Sequence, residues 1–128
     1  MQNRILVVRW ARKSGNGQRY VPDEGDIVWL EFDPQAGHEQ AGHRLALVLS
    51  PASYNGKSGL MVCCPLSTKV KGNPFEVVTE VDGMRCVVLA DHVKSLDWRA
   101  RVAKYKARLD ENELWDVRAK LKALLLIV

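Results

Sequence analysis

From Tyr20 onward the chain is cut by turn residues into short apolar or alternating runs, and only its end takes up a helical period. Such punctuation leaves no room for a helical bundle or for the long strand-helix alternation of a doubly wound sheet. Asp26 to Phe32 alternates, with Ile27, Trp29 and Glu31 on one face and Val28, Leu30 and Phe32 on the other. Leu45 to Leu49 reads as a buried strand ended by Ser50-Pro51, and Asn55-Gly56 with Ser58-Gly59 reads as a tight reversal. Leu60 to Leu66 is a second buried run, stopped near Ser67-Thr68. Phe75 to Val81 and Cys86 to Ala90 flank Asp82-Gly83, a hairpin signal. Val93 to Trp98 and Ala100 to Lys106 are weaker strand candidates.

The tail changes period. Asp110 before Glu111-Asn112-Glu113 has the form of an N-cap followed by first-turn acids. Leu114, Val117, Leu121, Leu124 and Leu125 then recur at helical spacing, with Arg118, Lys120 and Lys122 opposite. The expectation is a mainly β, α+β domain: a strongly curved barrel of about five to seven short strands, with an amphipathic C-terminal helix packed on the sheet.

At 128 residues the chain has the length of one domain with a single core. No apolar run approaches the ~18 residues that span a bilayer, so no membrane role is expected. Cys63, Cys64 and Cys86 are an odd number without a C-x-x-C pair, which suits buried free thiols in a reducing cytoplasm better than a zinc site. Adjacent Cys63 and Cys64 should point to opposite faces of their strand.

The net charge of +4 is unevenly placed. Arg4, Arg9, Arg12, Lys13 and Arg19 put +5 on residues 1–19, leaving −1 on residues 20–128. Residues 1–19 therefore read as an appended basic arm and residues 20–128 as the domain. Global charge cannot argue for nucleic-acid binding by the domain, whose basic surface must be local.

The stretch Gly37-His38-Glu39-Gln40-Ala41-Gly42-His43-Arg44 gathers phosphate-binding and proton-carrying groups between two strand runs. It reads either as a solvated hairpin loop or as a binding loop on a rigid β scaffold. Arg44 immediately precedes a buried strand, and its planar guanidinium can hold a phosphate through two hydrogen bonds, or form a surface ion pair. Glu39 can accept a proton, and His43 can exchange one near neutral pH. Ser67 and Thr68 place two hydroxyls where the next strand ends, or simply make a turn. Lys69, Lys71, Lys94, Arg99 and Arg101, interleaved with Trp98 and Tyr105, suit single-stranded nucleic acid, unless Trp98 is core and the cations a solvated face. A Ser67-His92-Asp91 hydrolase is excluded, because G-x-S-x-G is absent and adjacent Asp91 and His92 would point apart on a strand. Phosphate-loop motifs are absent too.

Several of these segments occur in the order of one family. Tyr20-Val21-Pro22-Asp23, Gly25-Asp26-Ile27-Val28-Trp29, Phe32-Asp33-Pro34, Glu39-Gln40-Ala41-Gly42-His43-Arg44 and Val48-Leu49-Ser50-Pro51 resemble MazF/PemK-type toxins, nearest the MazF branch. Lys71-Gly72 with Pro74-Phe75-Glu76-Val77, then Leu89-Ala90-Asp91 and Val93-Lys94-Ser95, continue the resemblance through about residue 125.

The resemblance implies an SH3-like barrel of the PemK/CcdB kind that forms a homodimer. It implies a ribosome-independent, sequence-specific endoribonuclease acting on single-stranded mRNA in the cytoplasm, paired with a MazE-like antitoxin and needing no cofactor or metal. Arg44 falls on the family's catalytic arginine, Glu39 on an implicated carboxylate and Ser67 on the catalytic threonine, whose hydroxyl it keeps. His43, Thr68, Lys69, Lys71, His92, Lys94 and Arg99 are the expected RNA-binding residues. Leu45 stands where a proline is common and His92 where a glutamine is, which bears on sequence preference more than on chemistry. Two other classes remain open: a gyrase-poison-like toxin on the same barrel, and a non-catalytic RNA-binding module.

Overall fold

The computed structural model describes residues 20–32 and 42–128. The arm 1–19 and the loop residues His38 and Glu39 lie outside the described residues. Strand β1 (Asp26–Phe32) pairs antiparallel with β2 (Gly42–Val48), in a register that sets Trp29 opposite Leu45, Leu30 opposite Arg44 and Glu31 opposite His43. Helix α1 (Ala52–Ser58) leads into β3 (Leu60–Ser67), the β4 (Glu76–Val81) and β5 (Met84–Leu89) hairpin follows, and a 3-10 turn (Ala90–His92) precedes β6 (Lys94–Asp97). Strand β7 (Lys104–Arg108) and helix α2 (Glu111–Leu124) complete the chain. The seven strands form one curled sheet in the order β4-β5-β3-β2-β1-β7, with β6 also on β3.

The central strand β3 is shared. Its start, Leu60 to Cys63, pairs with β6, and its end, Leu66 and Ser67, pairs with β5. Pro65, which has no N–H to offer a ladder, sits in the gap between these two partners. The curl that results buries both faces of the central strands. Ile27, Leu47, Cys64, Val88, Leu114 and Val117 belong to one core cluster, while Val28, Leu30, Val48, Met61, Cys63 and Trp98 belong to the other. Cys63 and Cys64 therefore do point to opposite faces, and all three thiols are buried and free.

The alternating first strand, the Asp82-Gly83 hairpin and the capped C-terminal helix match the sequence reading. Asp82 and Gly83 both take positive φ, 54° and 77°, as a two-residue turn matched to strand twist requires. The Asp110 carboxylate accepts the Asn112 N–H at 3.1 Å and so satisfies one of the helix's first free amides.

Four expectations need correction. The segment read as a tight reversal is helix α1, because Asn55 is not a turn residue but a fully buried hub. Its amide donates to Pro22 O and Ser50 O, and its side-chain oxygen accepts from Ser50 Oγ, all within 2.9 Å. The second strand begins earlier, at Gly42, so that His43 and Arg44 lie within it rather than before it. The weak C-terminal strands are shorter and later, since residues 98–103 turn around Trp98, which is core and donates its Nε1–H to Asn55 O at 2.9 Å. Leu124 and Leu125 do not pack on the sheet. Helix α2 rests on β4 and the 3-10 turn, Leu114 and Val117 are its buried positions, and the last turn runs past the sheet.

Candidate functional site

A cleft of about 820 Å³ opens where the ends of β2 and β3 meet the 3-10 turn and β6. Strand β2 lies between β1 and β3, and the backbone carrying His43 and Arg44 is held by its pairing with Glu31 and Leu30 of β1. The β2–β3 ladder pairs Val48 with Cys63, Leu47 with Cys64 and Ala46 with Pro65. Beyond that ladder, Arg44 stands two residues before Ala46 and Ser67 two residues after Pro65, and both line the cleft. A guanidinium and a hydroxyl far apart in sequence thus share one rim.

The hydroxyl is oriented. Ser67 Oγ accepts the Lys69 N–H at 3.0 Å, which occupies an oxygen lone pair and leaves the O–H to be donated elsewhere. His43 stands between two β1 side chains, with Nε2 3.8 Å from Glu31 Oε2 and its ring edge-on to Trp29 at 6.1 Å. About half of each partner of the His43–Glu31 pair is exposed, so the contact orients the imidazole more than it stabilises the fold. Across the cleft, His92 Nε2 lies 3.8 Å from Asp91 Oδ1.

Of the expected site residues, the cleft brings together His43, Arg44, Ser67, Thr68, Lys69, His92 and Lys94. It does not bring in Lys71, which is exposed on the segment beyond Lys69, or Arg99. The Arg99 guanidinium packs 4.9 Å from the Trp98 ring centre and donates to Gly56 O at 2.6 Å. Trp98 is buried, so its ring is not open for a base to stack on.

Sequence reasoning missed Trp29 and Glu31. Their alternation assigned them to one face of β1, but not Trp29 to the cleft or Glu31 to His43 on its rim. Only the β1–β2 register, which sets Glu31 opposite His43, reveals the connection.

Cys63 and Cys86 also line the cleft. Burial pushes the Cys63 thiol up to about 11, against a smaller opposing pull from Lys94 and Arg101. Burial likewise raises Cys64 to about 12 and is the main cause of the upward shift at Cys86. These thiols stay protonated near neutral pH and are not nucleophiles. Among the described residues no three His, Cys, Asp or Glu side chains group as metal ligands.

The model of the PemK-like, MazF-like toxins of type II toxin-antitoxin systems matches residues 23–125. The chain belongs to this family. It is 51% identical over 107 residues to the endoribonuclease toxin MazF of Escherichia coli K12, covering 84% of this chain and 96% of that one. The endoribonuclease PemK of Escherichia coli is 32% identical over 132 residues, covering 93% and 99%. Among solved structures, MazE-MazF (Form-II) from Deinococcus radiodurans superposes with a TM-score of 0.80 at 55% identity, covering 86% of this chain and all of that one. Mycobacterium tuberculosis toxin MazF-mt6, at 14% identity with a TM-score of 0.65 and covering 80% and 98%, shares the fold. The curled seven-stranded sheet with a terminal helix is thus the MazF-like barrel.

Proposed function

We propose that this MazF-like toxin is an endoribonuclease that cuts single-stranded mRNA at a short sequence, using the substrate's own 2′-OH as nucleophile. The observation that carries the reading is that Arg44 of β2 and Ser67 of β3 line one open cleft. The attacking 2′-OH is already beside its phosphate, so the protein must orient the two, stabilise the charge that develops on the phosphoryl oxygens and move two protons. The guanidinium can donate two parallel hydrogen bonds to those oxygens, and the Ser67 hydroxyl a third. Arginine holds its proton too tightly to act as base, so its role is electrostatic. Glu39 or His43 relays protons. Lys69, Lys94 and His92 neutralise and orient the flanking chain, and no metal ion is required.

A gyrase-poison-like toxin needs no such rim, and a simple RNA-binding module needs no oriented hydroxyl. The protein acts on RNA, in keeping with the endoribonuclease toxin MazF of Escherichia coli, and is held in check by a MazE-like antitoxin, in keeping with the MazE-MazF structure of Deinococcus radiodurans; on this reading it works as a homodimer in the cytoplasm. Among the described residues no helix is long and apolar enough to cross a membrane.

The test is cleavage of a labelled RNA pool in EDTA, with end-group analysis. The reading requires a 2′,3′-cyclic phosphate and a 5′-OH, and requires a 2′-deoxy nucleotide 5′ to the cut to block cleavage while binding survives. A 5′-phosphate product, or unimpaired cutting of the deoxy substrate, would overturn it.

A further inference from the structure

The segment after Ser67 is exposed from Thr68 through Pro74, yet it is tied at both ends. At its start the Lys69 N–H donates to Ser67 Oγ. At its end stands Glu76, the first residue of β4, whose backbone is fixed by pairing with Leu89. One oxygen of the Glu76 carboxylate accepts the main-chain N–H of Lys71 at 3.1 Å and of Gly72 at 2.8 Å, and the other lies 3.3 Å from Asn73 Nδ2. Gly72 holds a φ of 82°, which redirects the chain just beyond the two amides held by the carboxylate and strains any residue with a Cβ. The Asn73 side-chain oxygen then accepts the Phe75 N–H at 2.8 Å and closes the turn.

We infer that Glu76 is a positioning residue that fixes the path of residues 68–73, so that Lys71 extends the basic track from the cleft to a phosphate flanking the cut. Lys69 lines the cleft and Lys71 lies beyond it, so the two lysines follow one another along the segment that Glu76 pins. The partner is the backbone of the same RNA strand, and the inference rests on the ribonuclease reading above.

Charge alone predicts the opposite. Removing a carboxylate from beside a polyanion should tighten binding, whereas losing a loop clamp should weaken it. Glu76→Ala therefore separates the two by sign. The probe is an RNA oligonucleotide containing a cleaved sequence, with flanking nucleotides and a 2′-deoxy residue at the cut. We expect Glu76→Ala to bind it about five- to tenfold more weakly, the scale of one ordinary net hydrogen bond. Its log K against log salt slope should be shallower by about 0.7, the share of one single-strand phosphate contact. With the all-ribose oligonucleotide the loss should fall on KM rather than kcat. Lys71→Ala should lose a similar amount, and the double variant little more than either. Glu76→Gln, which keeps an acceptor oxygen without the charge, should bind at least as well as the parent. Amide exchange at Lys71 and Gly72, read without RNA, should accelerate in Glu76→Ala and shows whether the clamp was released in a folded protein.

Accelerated exchange with binding equal to or tighter than the parent would overturn the inference, as would additive losses in the double variant. Failure of the parent protein to cut RNA would instead overturn the ribonuclease reading, leaving the exchange result to stand on its own.

Discussion

Lys106 of β7 forms an ion pair with Asp82 at the tip of the β4–β5 hairpin. The two residues belong to opposite ends of the sheet order, so their contact pins one edge of the curled sheet to the other. A register shift makes this possible. Strand β1 pairs Ile27 with Ala107 but Val28 with Tyr105, which leaves Lys106 as the extra residue of a bulge. A bulge re-aims its side chain, and here the Lys106 ammonium reaches Asp82 while lying 6.0 Å from the centre of the Trp29 ring.

Lys106→Ala should cost little global stability. The Asp82 side chain is 68% exposed, and such pairs contribute about 0–1 kcal/mol. The expected outcome is a small fall in the urea midpoint together with faster amide exchange in β7. Tryptophan emission should also change through Trp29, which lies in the cleft.

Arg44→Ala should leave the fold intact and lower kcat by about 10²–10³, the typical loss when one preorganised charge-stabilising donor is removed. Arg44→Lys should recover only part, since an ammonium keeps the charge but not the two parallel bonds. Single-turnover cleavage beside a circular dichroism spectrum checks both points, and near-parental cleavage by a folded Arg44→Ala would sink the assignment.

Ser67→Ala should also impair cleavage strongly, while Ser67→Thr should stay active. The hydroxyl that Lys69 N–H orients is the group at work, and threonine keeps it on a residue suited to a strand end. Equal activity of the alanine and threonine variants would contradict it.

Stability should fall in alkali as the buried thiols ionise. Cys63 rises from 9.0 to about 11 and Cys64 to about 12 on folding, so the folded state binds more protons than the unfolded one above pH 9. That contribution is complete below pH 9 and is lost as pH climbs toward those folded values. Urea midpoints between pH 8 and pH 11 should decline, and a Cys64→Ala variant, less stable throughout, should decline less steeply.

Deleting residues 1–19 should leave catalysis by the remaining domain largely unchanged. The five basic residues of the arm should add salt-sensitive RNA affinity through counterion release, so the deletion should weaken binding mainly at low salt. Loss of folding on deletion would show that Ile5 to Val8 belongs to the barrel.

Features governed by near neighbours were legible in the sequence. The alternation of β1, the Asp82-Gly83 turn and the Asp110 cap each depend on residues a few positions apart, and each formed as read. The family resemblance likewise named Arg44 and Ser67, because it is carried by residue identity in order along the chain. Only the tertiary structure decided where such residues meet. Asn55 reads as a turn former until Pro22, Ser50 and Trp98 close around it and make it the buried hub of a helix. Trp98 reads equally as a stacking platform or as core until packing takes the ring into the core, with the Arg99 guanidinium donating to Gly56 O beside it. Lys106 reaches Asp82 through a bulge that no local pattern announces, and Arg44 and Ser67 come to one cleft only once β2 and β3 have paired. Strand register is a property of two segments at once, fixed by which faces can be buried together, and one sequence window holds only half of that information.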